Sequence, residues 1–343
     1  MAKMPALNSI RTRKNVLTKY LTTQDQKDPR SLNARLLVVD TGNLAFMLSH
    51  SIFNRGTRGI LKQHQAVVAE LLFDRMIGYV LSFAAKHRRD AVVFVFDSKN
   101  VWRKSIYPEY KANRDHGKDE FYDQTISALR MLETYTKKHT ACMSLQVQRC
   151  EADDIIGFLA QNTENEMVIL SSDRDFVQLL VPGRVRVYSP QTKAWLESED
   201  PAFDLFVKCV RGDANDNIRA AYPRVRKTKL QKAWNDKYEM LNLVETILPS
   251  GEKVQPLLER NRDLIDLSRL PGDIRDSIRD SIESYVPGPF SKPLYKTFVQ
   301  ESLTEKDPEY DVEDLNLSGE RGMMSHPLLF STPTREVIKF SSF

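Results

Sequence analysis

The chain has 343 residues, of which 41% are hydrophobic and 28% charged, enough for the core of one large or two medium soluble domains. A net charge of only +4 excludes a chain that is basic throughout, so any nucleic-acid surface must be local. Cys142, Cys150 and Cys209 form no CxxC pair and the six histidines are scattered, which excludes a disulfide framework and a thiolate zinc site and fits a cytoplasmic setting.

Residues 1–34 form a basic extension without acids before Asp25, and Ile10, Val16, Leu17 and Leu21 make a helical stripe. A packed helix is favoured over a transit peptide or a basic arm. From Arg35 the chain alternates. A strand is predicted at 35–40, a helix at 66–87, a strand at 91–96, a polar aromatic-basic stretch at 98–120 and a helix near 121–138. A strand near 144–149, a helix opened by Glu151, a strand at 167–171 and a helix after Asp175 follow. A strand at 185–189 and a helix at 201–211 complete the pattern. Such alternation implies an α/β fold with a mostly parallel sheet covered on both faces. Beyond Asn217 the chain turns helical and basic, then breaks at Pro287-Gly288-Pro289. The residues from 306 to 343 read as a weakly ordered tail. No apolar run approaches the ~20 residues of a membrane span.

Nine carboxylates fall in five clusters, most of them at predicted strand ends: Asp40; Asp97; Glu151, Asp153 and Asp154; Asp173 and Asp175; Asp213 and Asp216. A parallel sheet delivers its strand C-termini to one edge, so these acids can converge on one crevice. They cannot all stay ionised at close range without cations. Carboxylate oxygens suit Mg²⁺, with Mn²⁺ as a substitute, and two ions ~3.5–4 Å apart would serve phosphodiester hydrolysis. Glu151 and Asp154, spaced i and i+3 at a helix start, share a face, and so do Asp213 and Asp216. Taken singly, Asp154, Asp175 or Asp213 reads better as a helix cap, and Asp40 or Asp97 as the start of a turn. The joint pattern favours a metal-dependent hydrolase.

Between Asp97 and the next helix, Lys99, Arg103, Lys104, Lys111, Arg114 and Lys118 alternate with Trp102, Tyr107, Tyr110, Phe121 and Tyr122. Cations for phosphates and aromatic faces for unpaired bases form a single-strand platform. A second basic run, Arg219, Arg224, Arg226, Lys227, Lys229 and Lys232, is either a duplex anchor or the solvent face of a helix.

Val39-Asp40-Thr-Gly-Asn, Phe96-Asp97, Pro108-Glu-Tyr-Lys-Ala-Asn-Arg114, Glu151-Ala-Asp-Asp154, Ser172-Asp173-Arg-Asp175 and Gly212-Asp-Ala-Asn-Asp-Asn217, in this order, resemble the flap endonuclease/5′-3′ exonuclease family. Within that family the chain is most similar to the RNase H type of T-even-like phages. The resemblance implies a PIN-like α/β domain over 35–211 with a helical arch near 98–120. It also implies a helical DNA-binding half over 212–305 with a helix–hairpin–helix variant. Asp40, Asp97, Glu151, Asp153, Asp154 and Asp173 would surround a first Mg²⁺, and Asp175, Asp213 and Asp216 a second, through water. Lys111 and Arg114 would contact the scissile phosphate from the arch, with Tyr107 or Tyr110 stacking on the terminal base. Such enzymes remove RNA primers and 5′ flaps at replication forks. The partners implied are RNA/DNA hybrids and flap or forked duplex DNA for a monomer. The tail's acidic patch and short apolar anchors suit either docking to a sliding clamp or single-strand-binding protein or a strap across the domain held by its own phenylalanines. The family's glycine-rich hairpin, which approaches K⁺ and phosphate, is here Ala220-Ala-Tyr-Pro-Arg-Val-Arg226, which puts a K⁺ site in doubt and points to side-chain phosphate contacts. A PIN-type ribonuclease would lack the arch motif, and a non-catalytic replication adaptor would not need the full acid set.

Overall fold

Residues 28–286, apart from 32, 53–64, 115–120 and 141, are described in a computed structural model of the chain. Strand β1 (Leu36–Asp40) is buried along its whole length, which requires cover on both faces. Alternate side chains supply it: Leu37 and Val39 enter a core with Phe73, Met76 and Leu132, while Leu36 and Val38 enter another with Ile155, Phe158 and Ile278. Strands β2 (Ala91–Val95), β3 (Met143–Leu145), β4 (Met167–Leu170) and β5 (Val185–Ser189) run parallel to β1, and β6 (Ala194–Leu196) closes one edge antiparallel. The order is β3-β2-β1-β4-β5-β6. The chain winds outward from β1 to β3, returns to β4 on the other side of β1, and winds the opposite way. Where the winding reverses, the loops leaving β1 and β4 part and open a crevice at their C-terminal ends.

Helices α1 (Thr41–Ile52), α2 (Gln65–Lys86) and α4 (Tyr122–His139) cover the first face, and the short α3 (Arg103–Ile106) lies between β2 and α4 in sequence. Helix α5 (Ala152–Asn162) covers the second face. A third core joins α6 (Pro201–Arg211), α7 (Lys227–Asn235), α8 (Lys237–Val244) and α9 (Val254–Ile265), with Tyr107 and Tyr110 inside it. The chain then returns to the sheet. Leu267, Leu270 and the i, i+4, i+8 stripe Ile274, Ile278 and Ile282 of α10 (Gly272–Glu283) pack into the second core. A Cβ at Gly157 of α5 would lie 2.9 Å from Leu267 Cβ, so this crossing needs a glycine. The stretch 212–305 expected as one helical half is thus divided between two cores in its described part.

Two local expectations are corrected. The strand foreseen at 144–149 ends at Leu145, whose carbonyl accepts the last ladder bond from Phe96 N–H. Val147 is buried in a turn closed by Cys150 N–H to Val147 O. The helix foreseen after Asp175 is a single 3₁₀ segment, Arg174–Leu179, capped by Asp173. The β5–β6 hairpin was not foreseen, because its turn carries no glycine and places Lys193 at φ 57° instead. The N-terminal stripe, the arch tip at 115–120 and the tail lie outside the described residues. Among the described residues no helix is long and apolar enough to cross a membrane.

Candidate active site

The crevice at the β1/β4 divergence is built from the ends of strands. Asp40 closes β1 and accepts bonds from Ser171 Oγ (2.8 Å) and Asn43 N–H (3.2 Å). Because Ser171 directly follows β4, this hydroxyl ties the two diverging strand ends together. Asp173 accepts the Asp175 N–H at 2.8 Å. Asp97, just past β2, accepts the Ala152 N–H at 2.8 Å and so faces the N-terminus of α5, where the helix dipole favours an anion. A Cβ on Gly42 would sit 3.1 Å from Asp97 Oδ2, so the start of α1 passes close beneath these acids.

The start of α5 sorts its three acids. Glu151 and Asp154 form a reciprocal capping box. This leaves Asp153 against Asp40 and Asp173, whose charges act on it. Asp154 turns away from the crevice. It is fully buried, pairs with Arg103 Nη2 at 2.7 Å, and accepts bonds from Trp102 Nε1 (3.0 Å) and Glu151 N–H (2.9 Å). The metal-ligand expectation for Asp154 is therefore corrected, since its oxygens serve the capping box and a buried ion pair.

Asp213 and Asp216 come from the loop after α6. Gly212 turns that loop at φ 71°, and a Cβ there would meet Ile218 O at 2.3 Å. Asp213 and Ile218 exchange backbone bonds of 2.9 and 2.7 Å that close the loop. Part of the stretch expected as an arch is fastened to it. Lys111 N–H donates to Asp216 O (2.9 Å), and Asn113 Nδ2 donates to Ala214 O (2.8 Å). Asp153, Asp175, Asp213 and Asp216 line a narrow crevice over Arg103 and Tyr110, with room for about one water-sized body (≈ 10 Å³).

Charge divides the acids into two sets. Burial, then the neighbouring Asp97, pushes the Asp40 carboxyl up to about 7. Burial raises Asp153 well above the usual range, with Asp40 and Asp173 adding to it. Asp97 is open at the rim yet also raised, by desolvation within the cleft. These three and Asp173 make no ion pair among the described residues. The second set is paired. Lys111 Nζ lies 2.5 Å from Glu151 and 3.7 Å from Asp216, and Arg114 lies 2.7 Å from Asp216. Burial would raise Glu151, but Arg103 and Lys111 outweigh it and hold the carboxyl low. Lys208 of α6 bridges Asp175 and Asp213, 2.7 Å from the latter. As they stand, no three acidic, histidine or cysteine side chains among the described residues close around one ion position. The donor set is nevertheless all carboxylate oxygen, gathered from several elements into one buried crevice, which fits hard divalent cations.

Three residues expected to bind nucleic acid are placed otherwise. Arg103 is 2% exposed, donates to Leu264 O and Glu151 at 2.8 Å, and pairs with Asp154 at 2.7 Å. Tyr107 and Tyr110 are buried, with Arg260 over the first ring and Lys111 over the second. Tyr110 OH donates to Glu151 (3.0 Å) and Asp216 (3.2 Å). Neither ring is open to a base here. Lys104, Arg219, Arg224, Arg226, Lys227 and Lys229 are exposed. Sequence reading missed Lys208, a lone lysine in an otherwise apolar helical run, whose role appears only when α6 is folded against the Asp175 turn.

Known proteins match this arrangement. The family described as "5′-3′ exonuclease, N-terminal resolvase-like domain" matches residues 35–204, which span every acid up to Asp175. Over these residues the chain is similar to the 5′-3′ exonuclease family. It is 26% identical over 231 residues to Ribonuclease H of Enterobacteria phage T4, covering 60% of this chain and 72% of that protein. It is 33% identical over 201 residues to the thermostable DNA polymerase I of Thermus caldophilus, covering 54% of this chain but only 23% of the polymerase. Among structures, the phage T5 5′-exonuclease with zinc bound aligns with a TM-score of 0.54 at 20% identity, over 73% of this chain and 99% of that one. A complex of the phage T5 flap endonuclease with DNA and metal ions aligns at 0.53 and 20%, over 72% and 97%. These likenesses show a PIN-like, resolvase-like fold for this chain.

Proposed function

We propose that this 5′-3′ nuclease hydrolyses phosphodiesters near 5′ ends in RNA/DNA hybrids and in flap or forked duplex DNA, removing RNA primers during replication. The observation that carries the reading is the convergence of Asp40, Asp97 and Asp173 at strand ends with Asp153 at the start of α5. Asp40, Asp97 and Asp153 have raised carboxyls, and none of the four makes an ion pair among the described residues. These four would hold a first Mg²⁺ or Mn²⁺, without the expected Glu151, whose oxygens pair with Arg103 and Lys111, and Asp175, Asp213 and Asp216 would hold a second. The bound ions would supply an activated water and charge compensation for the leaving oxygen.

The chain's own residues do the positioning. Lys111 and Arg114 stand on the described edge of the arch stretch, and turned from Glu151 and Asp216 they would neutralise the cleaved phosphate. Arg219, Arg224, Arg226, Lys227 and Lys229 present an exposed basic surface for duplex phosphates, with Lys104 as an outlying cation. The glycine-free hairpin does not favour a K⁺ site. Its Arg219 carbonyl already accepts from Asn261 Nδ2 (2.8 Å) and Arg260 Nη2 (3.3 Å), so phosphate contact falls to side chains.

A Mg²⁺-dependent assay on a 5′-labelled flap, an RNA/DNA hybrid and single-stranded RNA, with an EDTA control, tests the reading. Cleavage of the flap and hybrid is expected. Cleavage of single-stranded RNA alone would make the protein a PIN-type ribonuclease. Tight binding without cleavage would make it a replication adaptor. A monomer in the cytoplasm that docks a sliding clamp or single-strand-binding protein through residues 306–343 completes the proposal.

A further inference from the structure

The two proposed metal positions differ in what already occupies them. Around the first, Asp40, Asp97 and Asp173 bond to neutral donors, the Ser171 hydroxyl and backbone N–H groups, and neither they nor Asp153 make an ion pair among the described residues. Around the second, an ammonium is already in place. Lys208 lies on the last turn of α6, five residues before Asp213, and only 28% of its side chain is exposed. Its Nζ bridges Asp175, from the 3₁₀ turn after β4, and Asp213, from the loop after α6. These acids belong to different elements and share one crevice with Asp153 and Asp216. With no cation between them they would repel across it. The Lys208 stem thus delivers one positive charge to the place where the second ion would sit.

We propose that Lys208 is the resident cation of the second metal position. It holds Asp175 and Asp213 together in the resting protein and must be displaced before a divalent ion enters. The two positions therefore fill in order, the first tightly and the second weakly, and Lys208 sets the gap between them. This rests on the assignment of Asp175, Asp213 and Asp216 to a second metal.

The test is a Mn²⁺ titration of the full chain without nucleic acid, followed by the electron paramagnetic resonance signal of free Mn²⁺. Wild type should bind one ion tightly and one weakly. Lys208→Met should tighten the weak step about tenfold or more, since an ion no longer competes with a tethered charge, and should leave the tight step unchanged. Lys208→Arg keeps the charge and should keep the weak step weak. Thermal melting gives a second readout. In EDTA, Lys208→Met should melt below wild type because Asp175 and Asp213 then face each other unpaired, and Mn²⁺ should raise it more than it raises wild type. Lys208→Gln is neutral yet can still donate to both acids, and it should tighten the weak step if the methionine variant does not fold. Equal affinities in wild type, or a weak step unmoved by both neutral variants, would overturn the proposal. A role confined to gripping phosphate would appear as lost duplex affinity with unchanged Mn²⁺ binding. No Mn²⁺ binding by wild type would instead sink the metal-centre reading itself.

Discussion

Arg103→Met separates a buried scaffold residue from a nucleic-acid ligand. Arg103 is 2% exposed and spends its guanidinium on Leu264 O, Glu151 and Asp154, at 2.8, 2.8 and 2.7 Å. Glu151 would keep Lys111 and Tyr110 as partners. Asp154 has no other cation in contact among the described residues and is fully buried, so most of the loss falls there. Removing one member of such a pair costs about 3–5 kcal/mol, because the remaining charge stays buried. For a folded unit of this size ~1 kcal/mol shifts the melting temperature by about 2–4 °C. The variant should therefore melt roughly 6–20 °C below wild type by calorimetry, with a matching fall in the urea midpoint. Arg103→Lys should fall between them, because an ammonium cannot reach three acceptors in fork geometry. Adding Asp154→Asn to Arg103→Met should recover part of the loss by removing the stranded charge. A variant melting within about 2 °C of wild type but binding duplex with a reduced salt slope would refute this reasoning and return Arg103 to the nucleic-acid surface.

Other outcomes follow from the same geometry. Asp40→Asn, Asp97→Asn and Asp173→Asn should each abolish turnover with little loss of duplex affinity, and Asp213→Asn or Asp216→Asn should weaken turnover less uniformly. Full activity of Asp173→Asn in Mg²⁺ would contradict the proposed site. Asp40 holds a proton up to about pH 7 in the metal-free fold but only to about 3.8 when unfolded. The folded state therefore binds more protons in that window, and stability in EDTA should fall as pH rises through it. Asp40→Asn should flatten that fall in pH-dependent urea titrations, and Mg²⁺ affinity in wild type should weaken as pH drops from 7 to about 6. Lys111→Ala and Arg114→Ala should lower single-turnover rate more than affinity, whereas Arg224→Ala and Lys227→Ala should do the reverse and reduce the salt slope of binding. Identical behaviour of the two pairs would erase the distinction. Gly212→Ala should cost at least ~1–3 kcal/mol, since its φ of 71° is strained for alanine and its Cβ would meet Ile218 O at 2.3 Å. Wild-type stability of that variant would show that the loop can shift freely.

Much of the α/β frame was legible because β1, β2 and β4 are unbroken apolar runs that end on polar residues. Such runs belong to strands buried on both faces, so Asp40, Asp97 and Asp173 could be placed at one sheet edge before any coordinates. The start of α5 was harder to read. The i, i+3 spacing of Glu151 and Asp154 is shared by two ligands on one helix face and by the two ends of a capping box, and the fold uses the second. Likewise, aromatic and basic residues alternate both in a base-stacking platform and in a buried cluster of cations over rings. Only the third core decides for Tyr107 and Tyr110. Lys208 left no local trace, because its partners Asp175 and Asp213 are brought to it by tertiary folding.

The return of α10 to the sheet makes the intervening helices a loop moored at both feet. Helices α7 to α9 leave the nuclease half at Gly212 and rejoin it at Leu267, where Gly157 admits the closest crossing. A duplex gripped on that loop cannot swing as it would on a pendant module, so its height above the acids is set by two anchorages. The same mooring rules out a simple dissection. A chain cut at 211 would keep every strand yet lose Leu267, Leu270, Ile274, Ile278 and Ile282, baring the apolar face they cover. Such a fragment should bind hydrophobic dye and aggregate.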